Sequence, residues 1–303
     1  SEGIVDLFDG QTDLNNKIIR AVGNADLRFK EDALRIMRAL RFSSTLGFEI
    51  EESTKKAVLD NMHLLSNISS ERIFTELTKL LIGDYAMQVL DEYREVIGVI
   101  IPELKPAFDC GQNNPWHIYN VYGHIIHAVH AAPKDKIIRL TMLLHDIGKP
   151  QVKTTDDRGI DHFKTHAAMG AEIAKKVLKR FKVSNEIFDK VTTLIYYHQS
   201  VENVDNIRIK RWLAKIGEDY TRALFQVRLA DLEKLSELQK ELEEIIAAGE
   251  AFKLSDLSVN GNDLLALGYK GRAIGEKLDE ILNLVVDDKI KNDKEDILNY
   301  LNH

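Results

Sequence analysis

His145 and Asp146 close an apolar run, IIRLTMLL, and Ile147-Gly148-Lys149 follows at once. An imidazole beside a carboxylate at a helix end can give both ligands to one divalent cation. A complete site needs ligands from other helices, and His124 in VYGHIIHAV and Asp231 in VRLADLEK are the candidates. His166 and His198 offer a second metal position. A metal held there would activate water and polarise a phosphoryl oxygen. Six of the ten histidines fall between 117 and 162, and the competing reading is that one His-Asp dipeptide is common by chance. His63, His127, His130 and His303 read as satisfied core or surface side chains.

A second constellation lies in EDALRIMRALRF, with Glu31, Asp32, Arg35, Arg38 and Arg41. Arginines three residues apart drift slowly round a helix and form a ladder of planar paired donors suited to phosphates or base edges. A carboxylate beside them can accept from an exocyclic amino group. The competing reading is a solvated helix laced with ion pairs, each worth about 0.2–0.5 kcal/mol. Just upstream, Asp6, Gly10 and Asp13 in DLFDGQTDL read as a turn.

Helical signals dominate the elements that must carry these residues. The segment 30–46 places Ile36, Met37 and Leu40 on one side at 100° per residue. Helical patterns recur at 51–65, 70–82, 85–97, 117–131, 136–147, 163–181, 185–198, 207–216, 218–248, 261–267 and 272–286. The stretch 152–163 allows one small hairpin around Asp156–Gly159, and 102–116, with three prolines, is the candidate junction. The expected fold is all-α, an elongated multi-helix array divided into 1–101, 102–248 and 249–303. The helix at 218–248 is readable as core or as a homodimer seam.

The 303 residues, 44% hydrophobic and 29% charged, exclude a disordered or fibrous chain. A single cysteine, Cys110, precludes an internal disulfide, and no apolar run reaches the roughly 20 residues that span a bilayer. The expected setting is soluble and cytoplasmic, with no membrane partner. The net charge of −7 gives no global attraction to nucleic acid. Between Leu14 and Phe42, however, seven basic residues face three acidic ones, which fits a phosphate-bearing ligand.

Together VYGHIIHAV, RLTMLLHDIGKP, DHFKTHAAMGAEIA, YYHQS and LADLEK resemble the HD phosphohydrolase superfamily. The resemblance implies metal ligands at His124, His145, Asp146 and Asp231, with His166 and His198 serving a second metal. It also implies catalytic roles for His145 and Asp146. Manganese, nickel, iron or magnesium would suit such a site.

The segment DLFDGQTDL…EDALRIMRALRF, with SSERIFTELTKLL at 69–81, resembles the neck of class II tRNA nucleotidyltransferases, the bacterial CCA-adding and poly(A)-polymerase family. QNNPWHIYNVYGH and VNGNDLLALGYKGRAIGEKLDEIL are similar to later segments of family members that carry an HD domain. The resemblance implies that Asp32 and Arg35 read CTP or ATP through the base edge. Glu31 would orient them, Arg38 and Arg41 would lie at the nucleotide, and the remainder would hold the tRNA acceptor arm. The family's catalytic head carries a Gly-Gly motif and an Asp-x-Asp pair that binds magnesium, and neither occurs here. Since the chain opens at Ser1 on the motif that follows that head, it is expected to be a headless portion, inactive in polymerisation by itself. Two alternatives stand beside this reading: a phosphohydrolase acting on phosphomonoesters or 2′,3′-cyclic phosphates, and a non-catalytic RNA-binding module.

Overall fold

The computed structural model describes residues 5–113, 118–199, 206–232 and 236–301; His117, His303 and part of the QNNPWHIYNVYGH stretch lie outside them. The fold is all-α. Two compact units form, one from residues up to 199 together with 226–233, the other from 200–225 and 234 onward. Among the described residues, no helix is long and apolar enough to cross a membrane.

The first unit departs from the expected elements where polar side chains compete with the helix. The segment 30–46 is not one helix: Ala25–Glu31 stops, Asp32 is extended (φ −151°, ψ 101°), and Leu34–Leu46 begins. Asp32 causes the break, because its carboxylate accepts the Leu34 N–H at 3.1 Å. The apolar face falls as the periodicity predicts, with Ile36, Met37 and Leu40 fully buried. The 85–97 pattern divides into Ala86–Glu92 and Arg94–Ile100 at the buried Tyr93. Helix Gly10–Asn15 replaces the expected turn, and Asp9 before it is left-handed (φ 55°). A short parallel pair, Ile18–Ile19 with Glu49–Ile50, escaped the sequence reading. The hairpin is present, with Thr154–Thr155 antiparallel to Asp161–His162.

The helix that delivers the His-Asp pair is Lys136–Leu144, and it is buried on every side from Ile137 to Leu144. Such an element suits the centre of a helical domain. Asp135 starts it by accepting the Ile137 and Ile138 N–H groups at 2.7 and 3.0 Å. Arg139 is buried within it and donates to the carbonyls of Leu81, Gly83 and Ala132. The turn after the helix packs on the helix His166–Arg180 backbone to backbone. A Cβ at Gly148 would lie 2.4 Å from the His166 carbonyl oxygen and 2.5 Å from Gly170 N. Only glycine permits that approach.

The second unit holds the helices Asn206–Ile216, Ser236–Ala247, Gly261–Ala266, Arg272–Val286 and Lys294–Leu301. The expected 218–248 helix is two, Glu218–Leu232 and Ser236–Ala247. Leu257, Val259, Leu264, Ile281 and Ile297 form its buried cluster.

Candidate functional site

Four helices and one turn bring six side chains together within the first unit. His124 lies on Val121–Ala131, a helix capped by Asn120, whose Oδ1 accepts the Gly123 N–H at 2.6 Å. His145 and Asp146 follow the buried helix, and His166 opens His166–Arg180. His198 ends Asn185–Tyr197, and Asp231 lies in the last turn of Glu218–Leu232. These six fall into three overlapping metal-competent groups: His124/His145/Asp146, His145/His198/Asp231 and Asp146/His166/His198.

Asp146 stands at the centre, with one oxygen facing each half. Its Oδ2 lies 3.3 Å from His145 Nε2 and 3.5 Å from His124 Nε2, and its Oδ1 lies 3.2 Å from His166 Nε2 and 3.6 Å from His198 Nε2. Asp231 Oδ1 completes the first half, 2.9 Å from His124 Nε2 and 3.4 Å from His145 Nε2. The cluster is buried, and its exposed edge is His124 and Asp231, whose side chains are each 15% exposed.

The donor set of this cluster fits a metal. His145, His166 and His198 each place Nδ1 on the backbone carbonyl three residues earlier, at 2.6, 2.8 and 2.6 Å. A carbonyl only accepts, so these Nδ1 atoms carry protons, and each ring turns its Nε2 inward, with a lone pair there whenever the ring is neutral. Yet Nε2 atoms face one another at 3.1 Å for His166 and His198, and at 3.3 Å for His124 and His145. Lone pairs at that distance repel unless a proton or a metal cation lies between them. Both carboxylate oxygens of Asp146 are buried without a well-aligned hydrogen bond, although Lys149 Nζ approaches Oδ2 to 2.6 Å.

The charges respond to this crowding. Burial by itself would lower the His145 imidazole, but the charges of Asp146 and Asp231 override it and push the group up to about 10. Burial would likewise raise Asp146 and Asp231, but His145, Lys149 and His124 hold both carboxyls well below the usual range. His198 goes the other way, since burial keeps its imidazole neutral.

Lys149 was noted in the sequence only as a neighbour of the His-Asp pair. It is buried, and Gln112 Oε1 accepts from its ammonium at 2.8 Å. Its position three residues after Asp146 was the available signal, but the partner Gln112 is 37 residues away.

The second constellation is partly assembled. Glu31 Oε2 accepts from Arg28 and Arg35 at 2.8 and 2.7 Å, which lowers the Glu31 carboxyl through the Arg35 contact above all. Asp32 pairs with Arg72 at 2.9 Å across 40 residues. Burial raises the Asp32 carboxyl, but the Leu34 N–H and the Arg72 guanidinium outweigh it and lower it. Lys30, Glu31, Asp32 and Arg72 line a recess of about 480 Å³ together with Leu64 and Ile68. Arg28 is one of the seven basic residues between Leu14 and Phe42, whereas no local signal in the sequence points to Arg72. Arg38 is exposed and makes no hydrogen bond or ion pair among the described residues. Arg41 is drawn elsewhere: its Nε lies 3.1 Å from Glu76 Oε2, poorly aligned for a hydrogen bond, and its guanidinium covers Phe42. The ladder is therefore not one surface, because at about 3.6 residues per turn Arg41 lies about 120° round the helix from Arg35.

Two family models match the chain. Residues 154–301 match "tRNA nucleotidyltransferase domain 2 putative", and residues 47–108 match "Probable RNA and SrmB- binding site of polymerase A". Both models describe parts of enzymes that act on RNA 3′ ends, a tRNA nucleotidyltransferase and polymerase A. The relatives are CCA-adding enzymes. That of Oceanobacillus iheyensis is 31% identical over 296 residues, covering 96% of this chain and 65% of the relative. That of Enterococcus faecalis is 31% identical over 299 residues, covering 98% and 65%. A crystal structure of the Bacillus stearothermophilus CCA-adding enzyme in complex with CTP superposes with a TM-score of 0.72 at 26% identity, covering 98% of this chain and 68% of that one. In sequence and in fold the chain is thus similar to CCA-adding enzymes. The chain spans about 65% of the length of these curated relatives.

Proposed function

We propose that this chain is the nucleotide-selecting and tRNA-holding body of an enzyme that adds C and A to tRNA 3′ ends from CTP and ATP. The observation that carries this reading is the similarity along 98% of the chain to an enzyme crystallised with CTP. In this reading 1–101 is the neck, and Asp32 and Arg35 recognise the base edge beside the recess that Arg72 borders. Glu31 holds Arg35 through its Nη1 contact. Arg38, which is exposed, would meet a phosphate or the tRNA backbone, and Arg41, turned to Glu76, would play a supporting role. Polymerisation needs carboxylates that hold magnesium, and no Asp-x-Asp pair occurs in this sequence. The test is equilibrium binding of radiolabelled CTP and ATP, with Asp32→Ala and Arg35→Ala expected to weaken both about tenfold or more, the worth of one good bidentate base contact. Unchanged binding in both variants would overturn the assignment. Incorporation of CMP into tRNA by this chain alone would overturn its inactivity in polymerisation.

A second reading, compatible with the first, is a metal-dependent phosphohydrolase at the buried cluster. The Nε2 atoms of four histidines converging on two carboxylates support it. His124, His145, Asp146 and Asp231 would hold one divalent ion, and Asp146, His166 and His198 a second. When bound, manganese, nickel, iron or magnesium would supply charge neutralisation at phosphorus and an acidified water. In hydrolysis the water oxygen bonds to phosphorus, the ester P–O bond breaks, and the water's proton ends on the leaving alcohol. Elemental analysis together with 2′,3′-cyclic nucleotide hydrolysis tests it. Bound metal with turnover lost in His145→Ala supports the reading, and an empty cluster without turnover removes it.

A further inference from the structure

We infer that the stacked pair Tyr119–His127 is a base-binding subsite of the buried His/Asp cluster, so that the cluster takes nucleotide esters in preference to phosphate esters without a base. This rests on the phosphohydrolase reading above. The rings of Tyr119 and His127 lie nearly parallel, with centroids 4.0 Å apart and planes 18° apart. Tyr119 is 41% exposed. An aromatic ring already stacked on one face and open to solvent offers a platform on which a base can lie, whatever its sequence identity.

Two independent ties hold this platform beside the cluster. One is the helix Val121–Ala131, on which His127 follows His124 by three residues. Residues so spaced are neighbours on one face, about 5–6 Å apart at Cβ. His124 belongs to the exposed edge of the cluster, so the platform borders the side from which a ligand can enter. A ribose can bridge that separation between base and phosphate. The other tie is a chain of contacts from the cluster's central carboxylate. Lys149 Nζ lies 2.6 Å from Asp146 Oδ2 and donates to Gln112 Oε1 at 2.8 Å, and Gln112 Nε2 donates to the Tyr119 carbonyl at 3.2 Å.

The seat of Tyr119 is itself shaped for it. A Cβ at Gly123 would lie 3.2 Å from Tyr119 Cβ, tighter than ordinary contact, so the glycine lets the tyrosine lie close against the helix. His127, which the sequence offers only as a core or surface residue, is half-buried and supports the outer ring.

The experiment uses the full chain loaded with manganese(II). Its first readout is equilibrium binding of adenosine 5′-monophosphate and of ribose 5-phosphate. Its second is the ratio of kcat/KM for the two esters, and metal content is measured throughout. Wild type should bind the nucleotide more tightly than the ribose phosphate. Tyr119→Ala should lower the ratio roughly tenfold or more, the order that truncating one base stack costs. Tyr119→Phe should preserve the ratio, which a general packing role for the hydroxyl would not. Equal binding of both esters by wild type, or an unchanged ratio in Tyr119→Ala with metal retained, overturns the subsite while leaving the phosphohydrolase reading intact. Absence of both metal and hydrolysis in wild type overturns the two together.

Discussion

Raising the pH should tighten divalent-metal binding at the His/Asp cluster by about tenfold per unit across the neutral range. In the metal-free protein the His145 imidazole is pushed up to about 10, so at neutral pH its ring is charged between Asp146 and Asp231. Its Nδ1 is committed to the Met142 carbonyl, so the proton a metal must displace is the one on Nε2. His198 is kept neutral by burial and contributes no second proton. One proton released per metal gives unit slope in log affinity against pH. Between pH 6.5 and 8.5 that is about a hundredfold, or about 2.7 kcal/mol at 1.36 kcal/mol per unit. Titration calorimetry with manganese(II), in two buffers of different ionisation enthalpy, counts the released protons directly. His145→Ala should lower affinity and remove the pH slope. Metal binding with a flat pH profile and no proton release would refute the argument that His145 is held charged at the metal position. The same shift fixes the sign for the metal-free fold: the contribution of His145 is fully present below about 6.5 and is lost as pH rises toward 10.

Three further outcomes are expected. Glu51 caps the helix Glu52–Asn61 through the N–H groups of Ser53 and Thr54, so Glu51→Ala should cost about 0.5–2 kcal/mol in urea denaturation. Burial would raise the Glu51 carboxyl, but those hydrogen bonds lower it to about 2; its contribution is therefore present above 4.5 and lost as pH falls toward 2, and the variant should lack that part of the acid transition. Gly83→Ala should destabilise by about 1–3 kcal/mol by thermal melting, because the added Cβ would meet the Ser44 carbonyl oxygen at 2.5 Å and Ser44 Oγ at 2.1 Å. Binding of tRNA should weaken steeply with added salt if phosphate contacts carry it, with Arg38→Ala reducing the slope of log affinity against log salt; a salt-independent affinity would count against the tRNA-holding role.

Much of this protein was legible in its sequence because the information is local. Apolar spacing identified the helices, and the buried face of Leu34–Leu46 followed from Ile36, Met37 and Leu40 alone. His145-Asp146 announced itself as an adjacent pair at the end of an apolar run. Short-range competition was harder to read: Asp32 breaks a helical pattern by accepting the Leu34 N–H, and propensity summed over a window does not see one side chain capturing one donor. What lay beyond reach was set by packing across distance. The sequence could nominate His124, Asp231, His166 and His198, but only folding brings Asp231 within 2.9 Å of His124, 107 residues away. Arg72 joins Asp32, Gln112 joins Lys149, and Arg41 turns to Glu76 for the same reason. Residue type states what each side chain can donate, accept or ligate; which partner it meets depends on where close-packed helices leave room, as at Gly148 and Gly170, and that is decided by the tertiary structure.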